Sequence, residues 1–398
     1  MKALEGIRVL DLSQGFAGPY CTKLLAAFGA EVIKVEPPGQ GDWSRRIGPF
    51  GANGSDPETS PAFLYLNTGK KGITLNIEHP AGRDLLRLLV QEADVVVESF
   101  RPGYLAGLGL GYTDLCRIRP DLIMASVTDF GQSGPYRDYK GGRLPILALS
   151  GHLYITGEPD REPLAYGGEF YAYQGGLYAY IGILAALFHR PTNRRGQHLD
   201  ISLLEGMTSL HQFTVNRYVY SGTVQRRSGN RHPFLHPVTL YPCRDGWVSI
   251  AAVSDDQAER LLTLMEMPHL LSDPRFRDGL SRRLHADAFD EAVKPWFRNR
   301  TRREIVDLCQ EWRVPAAPVN DPADLLQEEQ LQARRFWQDL DHPRAGPLRY
   351  PGPPFLLPAC PAEYSRAPLL GEHNEVVYRD GLKITEERLL QWKNEGVL

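Results

Sequence analysis

The first third of the chain alternates two periods, and that alternation limits the folds open to it. Ile7 to Leu10 is a short apolar run. Tyr20 to Phe28 then reads as a helix, with Pro19 at its first position, and Val32 to Val35 is a second apolar run. The pattern continues with a strand at Ile73 to Leu75, a helix at Ala81 to Gln91 and a strand at Val95 to Glu98. A short helix at Tyr104 to Leu108 and a strand at Leu122 to Ser126 complete it. Strands separated by helices imply an α/β fold whose mostly parallel sheet is covered on both faces. Ligands of such sheets bind beyond the carboxyl ends of the strands. The loops to watch are therefore Asp11 to Pro19, Glu36 to Asp42, Ser99 to Gly103 and Thr128 to Pro135.

The loop after the first strand, DLSQGFAGP, is not a dinucleotide fingerprint. Gly15 and Gly18 have the wrong spacing and no GxGxxG is completed, which disfavours NAD and FAD. It still delivers Gly18 and Pro19 to a helix start, where free N–H groups either meet an anionic or carbonyl ligand or simply close a βα turn.

A second stretch, Tyr166 to His189, passes through glycines and a polar knot at Tyr173 and Gln174 into a long apolar helix. Gly175 and Gly176 at the expected helix start lack a Cβ, which lets either a ligand or a second backbone approach closely. After it comes a basic turn in which Arg190, Arg194 and Arg195 either hold phosphates or are solvated, then a strand at His198 to Ser202.

At 398 residues the chain is long enough for two domains. Residues 1–220 form the expected large domain, 221–237 a linker rich in turn-forming residues, and 238–320 a smaller α+β domain. The small domain opens on a hairpin, Val238 to Tyr241 with Trp247 to Ala251. Residues 321–398, extended and proline-rich from about Pro318, return to the large domain. The 45 basic and 48 acidic residues give a formal charge of -3, which argues against a nucleic-acid or membrane surface. Five scattered cysteines with no CxxC support neither a disulfide framework nor a metal site and fit a reducing cytoplasm. The most apolar helix, Leu177 to Phe188, is too short to span a bilayer.

Seven motifs in order carry a family resemblance: Leu4–Asp42, YLNTGKKGITLNI, ADVVVESFRPG, LIMASVTDFGQSGPY, GILAALFHRPTNRRGQHLDISLLEG, GNRHP with CRDGWVSIA, and VPAAPVND. Together they resemble family III CoA-transferases, the group that includes formyl-CoA and carnitine CoA-transferases and α-methylacyl-CoA racemase. The resemblance implies a Rossmann-like large domain completed by the C-terminal segment, an interlocked dimer, and CoA as a substrate, with no tightly bound cofactor. It places Gly15, Phe16 and Ala17 in the CoA-side loop and Lys70 or Lys71 in its basic contact region, where solvated lysines are the alternative.

The resemblance also implies an aspartate nucleophile in the turn before the long helix, whose carboxylate attacks the acyl-CoA thioester. That position is Ala172 here, and a methyl group cannot attack. Other expected groups are missing too. The racemase-type acid/base segment falls on KGGRLP, a CoA-contacting arginine falls on Gly107, and a glycine-rich closing loop falls on Ala251 to Ser254, which has no glycine. Glu169, three residues before Ala172, is the nearest replacement carboxylate or else a helix cap, and Asp129 is a second candidate. Tyr171, Tyr173 and Gln174 are polar groups able to orient a bound acyl group or carboxylate, and Gly175 leaves room for the thioester. Three readings follow: a CoA-transferase acting on a CoA thioester and a carboxylic acid, a silent subunit paired with an Asp-bearing homologue, and an acyl-CoA-binding protein or isomerase. The chain would work as a homodimer or a heterodimer.

Overall fold

The computed structural model describes residues 2–50, 54–193 and 195–398. It is a mixed α/β structure with a six-stranded parallel sheet and smaller antiparallel sheets. The six strands are β1 (Arg8–Asp11), β2 (Glu31–Glu36), β3 (Lys71–Thr74), β4 (Val95–Glu98), β5 (Ile123–Thr128) and β6 (Gln197–Ser202). They are ordered β3-β2-β1-β4-β5-β6, with every neighbouring pair parallel. The chain thus reverses its direction of winding between β1 and β4, and the loops leaving those two strands part around a crevice.

The inner strands are buried on both sides because both faces are covered, whereas β6 at the edge is polar and partly exposed. On one face Leu10, Ile33, Val96 and Met124 pack with Leu85, Leu86 and Leu89 of the helix Pro80–Gln91, and with Trp392 and Val397 near the C-terminus. On the other, Val9, Val32, Val97, Ala125 and Val127 meet Leu24 and Leu25 of α1 (Ala17–Ala27) and Ala179, Tyr180 and Ile183 of the long helix Phe170–Asn193. No described helix is long and apolar enough to cross a membrane.

Two helix starts differ from the sequence reading. α1 begins at Ala17, so Pro19 is its third residue. The long helix begins at Phe170, which puts Gly175 and Gly176 in its second turn rather than at its start. Packing against a neighbour outweighs the low helix propensity of glycine at these two sites.

The chain divides into two compact units. The first combines the N-terminal part up to Gly151 with Tyr166–Val215 and Ala333–Leu398, and the second combines His152–Ala165 with Asn216–Gln332. In the second, β7 (Val238–Cys243) and β8 (Gly246–Ala251) form an antiparallel hairpin that gains a third strand, β9 (Ala316–Pro318). Its core stacks Tyr241 on Phe297 at 4.2 Å, and buried Asp290 accepts from Tyr241 Oη (2.7 Å) and Arg231 Nη2 (2.5 Å). Residues 221–237 are tied to the same unit, since Arg282 Nε donates to the His236 carbonyl at 2.8 Å and Arg283 Nε to that of His232 at 2.9 Å. Beyond Pro318 the chain is less extended than its prolines suggest. Short helices at Pro322–Gln327 and Glu329–Ala333 precede a hairpin of β10 (Trp337–His342) and β11 (Gly346–Pro351).

Candidate active site

The loop that follows β1 is held from below by buried charges. Asp11 ends β1 with no exposed surface and accepts from Ser13 N (3.1 Å), Thr22 Oγ1 (2.6 Å) and Lys70 Nζ (2.9 Å). Burial alone would raise its pKa, but Lys34, Lys70 and the hydrogen bonds from Ser13 and Thr22 outweigh that and hold it at about 2. Lys34 Nζ bonds the Ser13 carbonyl and the Asp42 carboxylate, and Asp42 Oδ1 in turn accepts from Gly15 N at 3.0 Å. Arg45 continues the network, donating to Glu36 at 2.7 and 2.8 Å and to Glu58 at 2.7 Å. Buried ions are costly unless paired and hydrogen-bonded, so these pairs constrain the loop rather than merely decorate it.

Gly15 has φ of +79°, and a Cβ there would stand 2.1 Å from the Trp43 ring. Its lack of a side chain lets Trp43 close over the loop, where Phe16 meets Trp43 edge-on at 5.7 Å. Above this platform, beyond the carboxyl ends of β1, β4 and β5, lies a cavity of about 830 Å³. Its walls come from Gln14, Phe16 and Ala17, from Ser99 to Pro102, from Thr128 to Phe130, from Arg137 to Gly141, and from Glu169, Tyr171 and Ala172. Gln14 N donates to Ser99 Oγ at 2.9 Å and so links the two loops at the reversal point.

Several expected site residues meet there. Phe16, Ala17, Glu169, Tyr171 and Ala172 all line the cavity, with Ala172 only 3% exposed. The Glu169 carbonyl accepts from Ala172 N (3.0 Å) and Tyr173 N (3.1 Å), so this residue caps the long helix through its backbone. Burial, reinforced by Asp129 and Glu169, pushes the Tyr171 phenol up to about 12.

Other expected residues lie elsewhere. Gly15 sits behind the wall. Gly175 faces Leu203, whose Cδ2 would be 1.9 Å from an added Cβ, and Gly176 faces the Ala17 carbonyl, so the close approach there is helix on helix. Neither Gln174 nor Tyr173 lines the cavity. Tyr173 instead joins Tyr20 at 4.9 Å. Lys70 is buried on Asp11, the Pro19 carbonyl and Asn67 Oδ1, with no amine proton directed at the cavity. Lys71, paired in register with Ile33, bonds Glu31 at 2.6 Å away from the strand ends. Arg190 bonds Asp94 at 2.8 Å, and Arg194 lies outside the described residues.

Sequence reasoning passed over Trp43, Arg101, Arg137 and Lys140, which also line the cavity. Arg101 falls in a loop flagged as a strand end, but nothing in its local sequence sets it apart. Arg137 pairs with Asp138 at 3.4 Å, whereas Arg101 and Lys140 have no ion-pair partner among the described residues. The cavity thus joins an aromatic wall, two uncommitted cations and the carboxylates of Asp129 and Glu169. That combination suits a ligand with an anionic part and an acyl group.

The chain matches the model of CoA-transferase family III over residues 4–374. It belongs to that family. Among members of family III, it is 35% identical to succinyl-CoA–D-citramalate CoA-transferase of Chloroflexus aurantiacus, over 100% of this chain and 98% of the relative. It is 36% identical to the β subunit of succinyl-CoA–L-malate CoA-transferase of the same organism, over 99% and 98%. The crystal structure of a CAIB/BAIF family protein from Brucella suis superimposes with a TM-score of 0.87 at 34% identity, covering 95% of this chain and 99% of that one.

Proposed function

We propose that the chain moves CoA between an acyl-CoA and a carboxylic acid, with the thioester lying in the cavity beside Glu169, Tyr171 and Ala172. One observation carries this reading: the cavity stands at the reversal point of a family III sheet and combines carboxylates with cations that no acidic side chain neutralises. The cations suit the phosphates of CoA or the carboxylate of an acid, and the aromatic wall of Phe16 and Trp43 suits the apolar parts of the thioester. Similar proteins are named for succinyl-CoA as donor, so succinyl-CoA is the first donor to try. CoA enters and leaves as a substrate. The working form is an interlocked dimer in a reducing cytoplasm, in which a carboxylate of this cavity, Glu169 or Asp129, or else a partner's aspartate would supply the attack.

A second reading is a silent subunit paired with an Asp-bearing homologue. It is favoured by the buried Ala172 methyl in the cavity wall, and a relative named as a β subunit is consistent with it. One experiment separates the two. The chain is assayed alone and together with a homologue for exchange of CoA between succinyl-CoA and labelled acids, and again with Ala172→Asp. Exchange by the lone wild-type chain sinks the silent-subunit reading. Exchange only in the presence of the homologue sinks catalysis by this chain's own carboxylates. No exchange and no acyl-CoA binding in any arm sinks both.

A further inference from the structure

We propose that Asp129 is the carboxylate that attacks the thioester in this chain. The proposal rests on the CoA-transfer reading above and assigns the step to a residue other than Glu169.

Three carboxylates line the cavity, and they differ in how they are held. Asp138 is an exposed rim group, 75% accessible in its side chain and engaged by Arg137. Glu169 caps the long helix through its carbonyl, and its carboxylate is fixed by no hydrogen bond among the described residues. Asp129 is built in on both sides. It directly follows β5, and its carbonyl accepts from Leu204 N at 3.0 Å, which fixes the backbone. Its carboxylate fills space that only a glycine leaves open, since a Cβ on Gly141 would stand 2.4 Å from Asp129 Oδ2. The Gly142 N–H is near enough to pull the carboxyl pKa down, against the effect of burial.

A nucleophile held in one position gains far more than a mobile one, because orientation is settled before reaction. Burial also raises the Asp129 pKa against the pull of the Gly142 N–H, leaving a poorly solvated and therefore more reactive oxygen. Tyr171 lines the same cavity as Asp129 and Glu169, whose charges raise its phenol, and the small Ala172 in that wall leaves space for an acyl carbon.

The step balances without an outside reagent. An Asp129 carboxylate oxygen attacks the thioester carbonyl, the C–S bond breaks, and the sulfur leaves with the electron pair as CoA thiolate, giving a mixed anhydride. The thiolate attacks the Asp129 carbonyl carbon, the donor acid departs, and Asp129 carries CoA as a thioester. The acceptor carboxylate then attacks that thioester and displaces the thiolate. Attack of the thiolate on the acceptor's acyl carbon completes transfer and regenerates the Asp129 carboxylate.

The test maps the adduct on the full chain. Wild-type protein is incubated with succinyl-CoA, quenched with hydroxylamine and digested, and the modified peptide is located by mass spectrometry. The expected result is a hydroxamate on Asp129, a loss of exchange on the order of 1,000-fold or more in Asp129→Asn, and a loss in Glu169→Gln at least about tenfold smaller than that in Asp129→Asn. Acyl-CoA affinity in Asp129→Asn should stay within about threefold of wild type, since binding does not need the attack. A hydroxamate on Glu169, or full exchange by Asp129→Asn, overturns the proposal. Wild-type protein that binds succinyl-CoA yet gives no adduct also overturns it, while leaving the CoA-transferase reading with a partner intact. The adduct map needs no variant, so misfolding of Asp129→Asn cannot mask the answer. A chain that binds no acyl-CoA, alone or with a homologue, overturns both.

Discussion

Gly176 in the long helix lies so close to Ala17 that a Cβ on it would stand 2.4 Å from the Ala17 carbonyl oxygen. The contact joins the long helix, whose first turn reaches the cavity at Ala172, to the start of α1, because Ala17 and Ala172 both line the same space. Gly176, in the second turn of the long helix, thus sets how closely the two helices approach beside the site. It does so by packing one backbone on another, without touching the ligand.

Gly176→Ala should cost roughly 1–3 kcal/mol, the range for overpacking a well-filled contact. The neighbour is main chain and cannot swing aside as a flexible side chain would. Denaturant unfolding of the variant against wild type measures it, and unchanged stability together with unchanged acyl-CoA binding would show that the two helices yield freely.

Lys70→Met should destabilise the fold by about 3–5 kcal/mol, because it removes one partner of a buried ion pair and leaves the other in place. Asp11 has no exposed surface and would keep its charge with fewer donors. The same measurement on a Lys70→Met/Asp11→Leu pair should recover part of the loss. A single variant as stable as wild type would show that Lys34, Ser13 and Thr22 suffice to hold Asp11.

The pH dependence of stability should carry a mark from Glu98. Burial raises its carboxyl from 4.5 to about 7, although the Ser126 hydroxyl and the Phe100 N–H oppose the shift. Between those values the folded chain keeps a proton that the unfolded chain has released, so stability falls as pH rises from 4.5 to 7. The change amounts to roughly 3–4 kcal/mol at most, at about 1.4 kcal/mol per pH unit. Glu98→Gln should flatten that part of the profile, and an equally steep fall in the variant would assign it to other groups.

Arg101→Ala should weaken acyl-CoA binding by about tenfold while leaving the fold unchanged, since the guanidinium lines the cavity without an acidic partner. The loss should shrink as salt is added, because an exposed charge is screened. Calorimetric titration with succinyl-CoA at two ionic strengths checks both points. Affinity that is indifferent to the substitution would remove Arg101 from the ligand's path.

What the sequence determined by itself was what depends on local period. Val95 to Glu98 is a strand with its expected bounds, and the helix expected at Ala81 to Gln91 spans Pro80–Gln91. A strand buried on both faces and an amphipathic helix each repeat their signature within a few residues, so neither needs knowledge of its neighbours. The loop Ser99 to Gly103 was equally legible as a strand end, and it does reach the cavity.

Only the tertiary structure decided which of those loops meet. The order β3-β2-β1-β4-β5-β6 brings the loops after β1 and β4 together, and strand order follows from long-range pairing that no local period encodes. Tertiary packing also drew Lys70 inward onto Asp11 and turned Gly175 and Gly176 toward Leu203 and Ala17. It gave the Asp129 carboxylate a glycine cradle at Gly141, twelve residues further along the chain. Whether a lysine is a ligand or a buried counter-ion, and whether a carboxylate is a cap or is held in a site wall, depends on the burial and charges around it. Those are set by residues distant in sequence, and they exist only once the chain has folded.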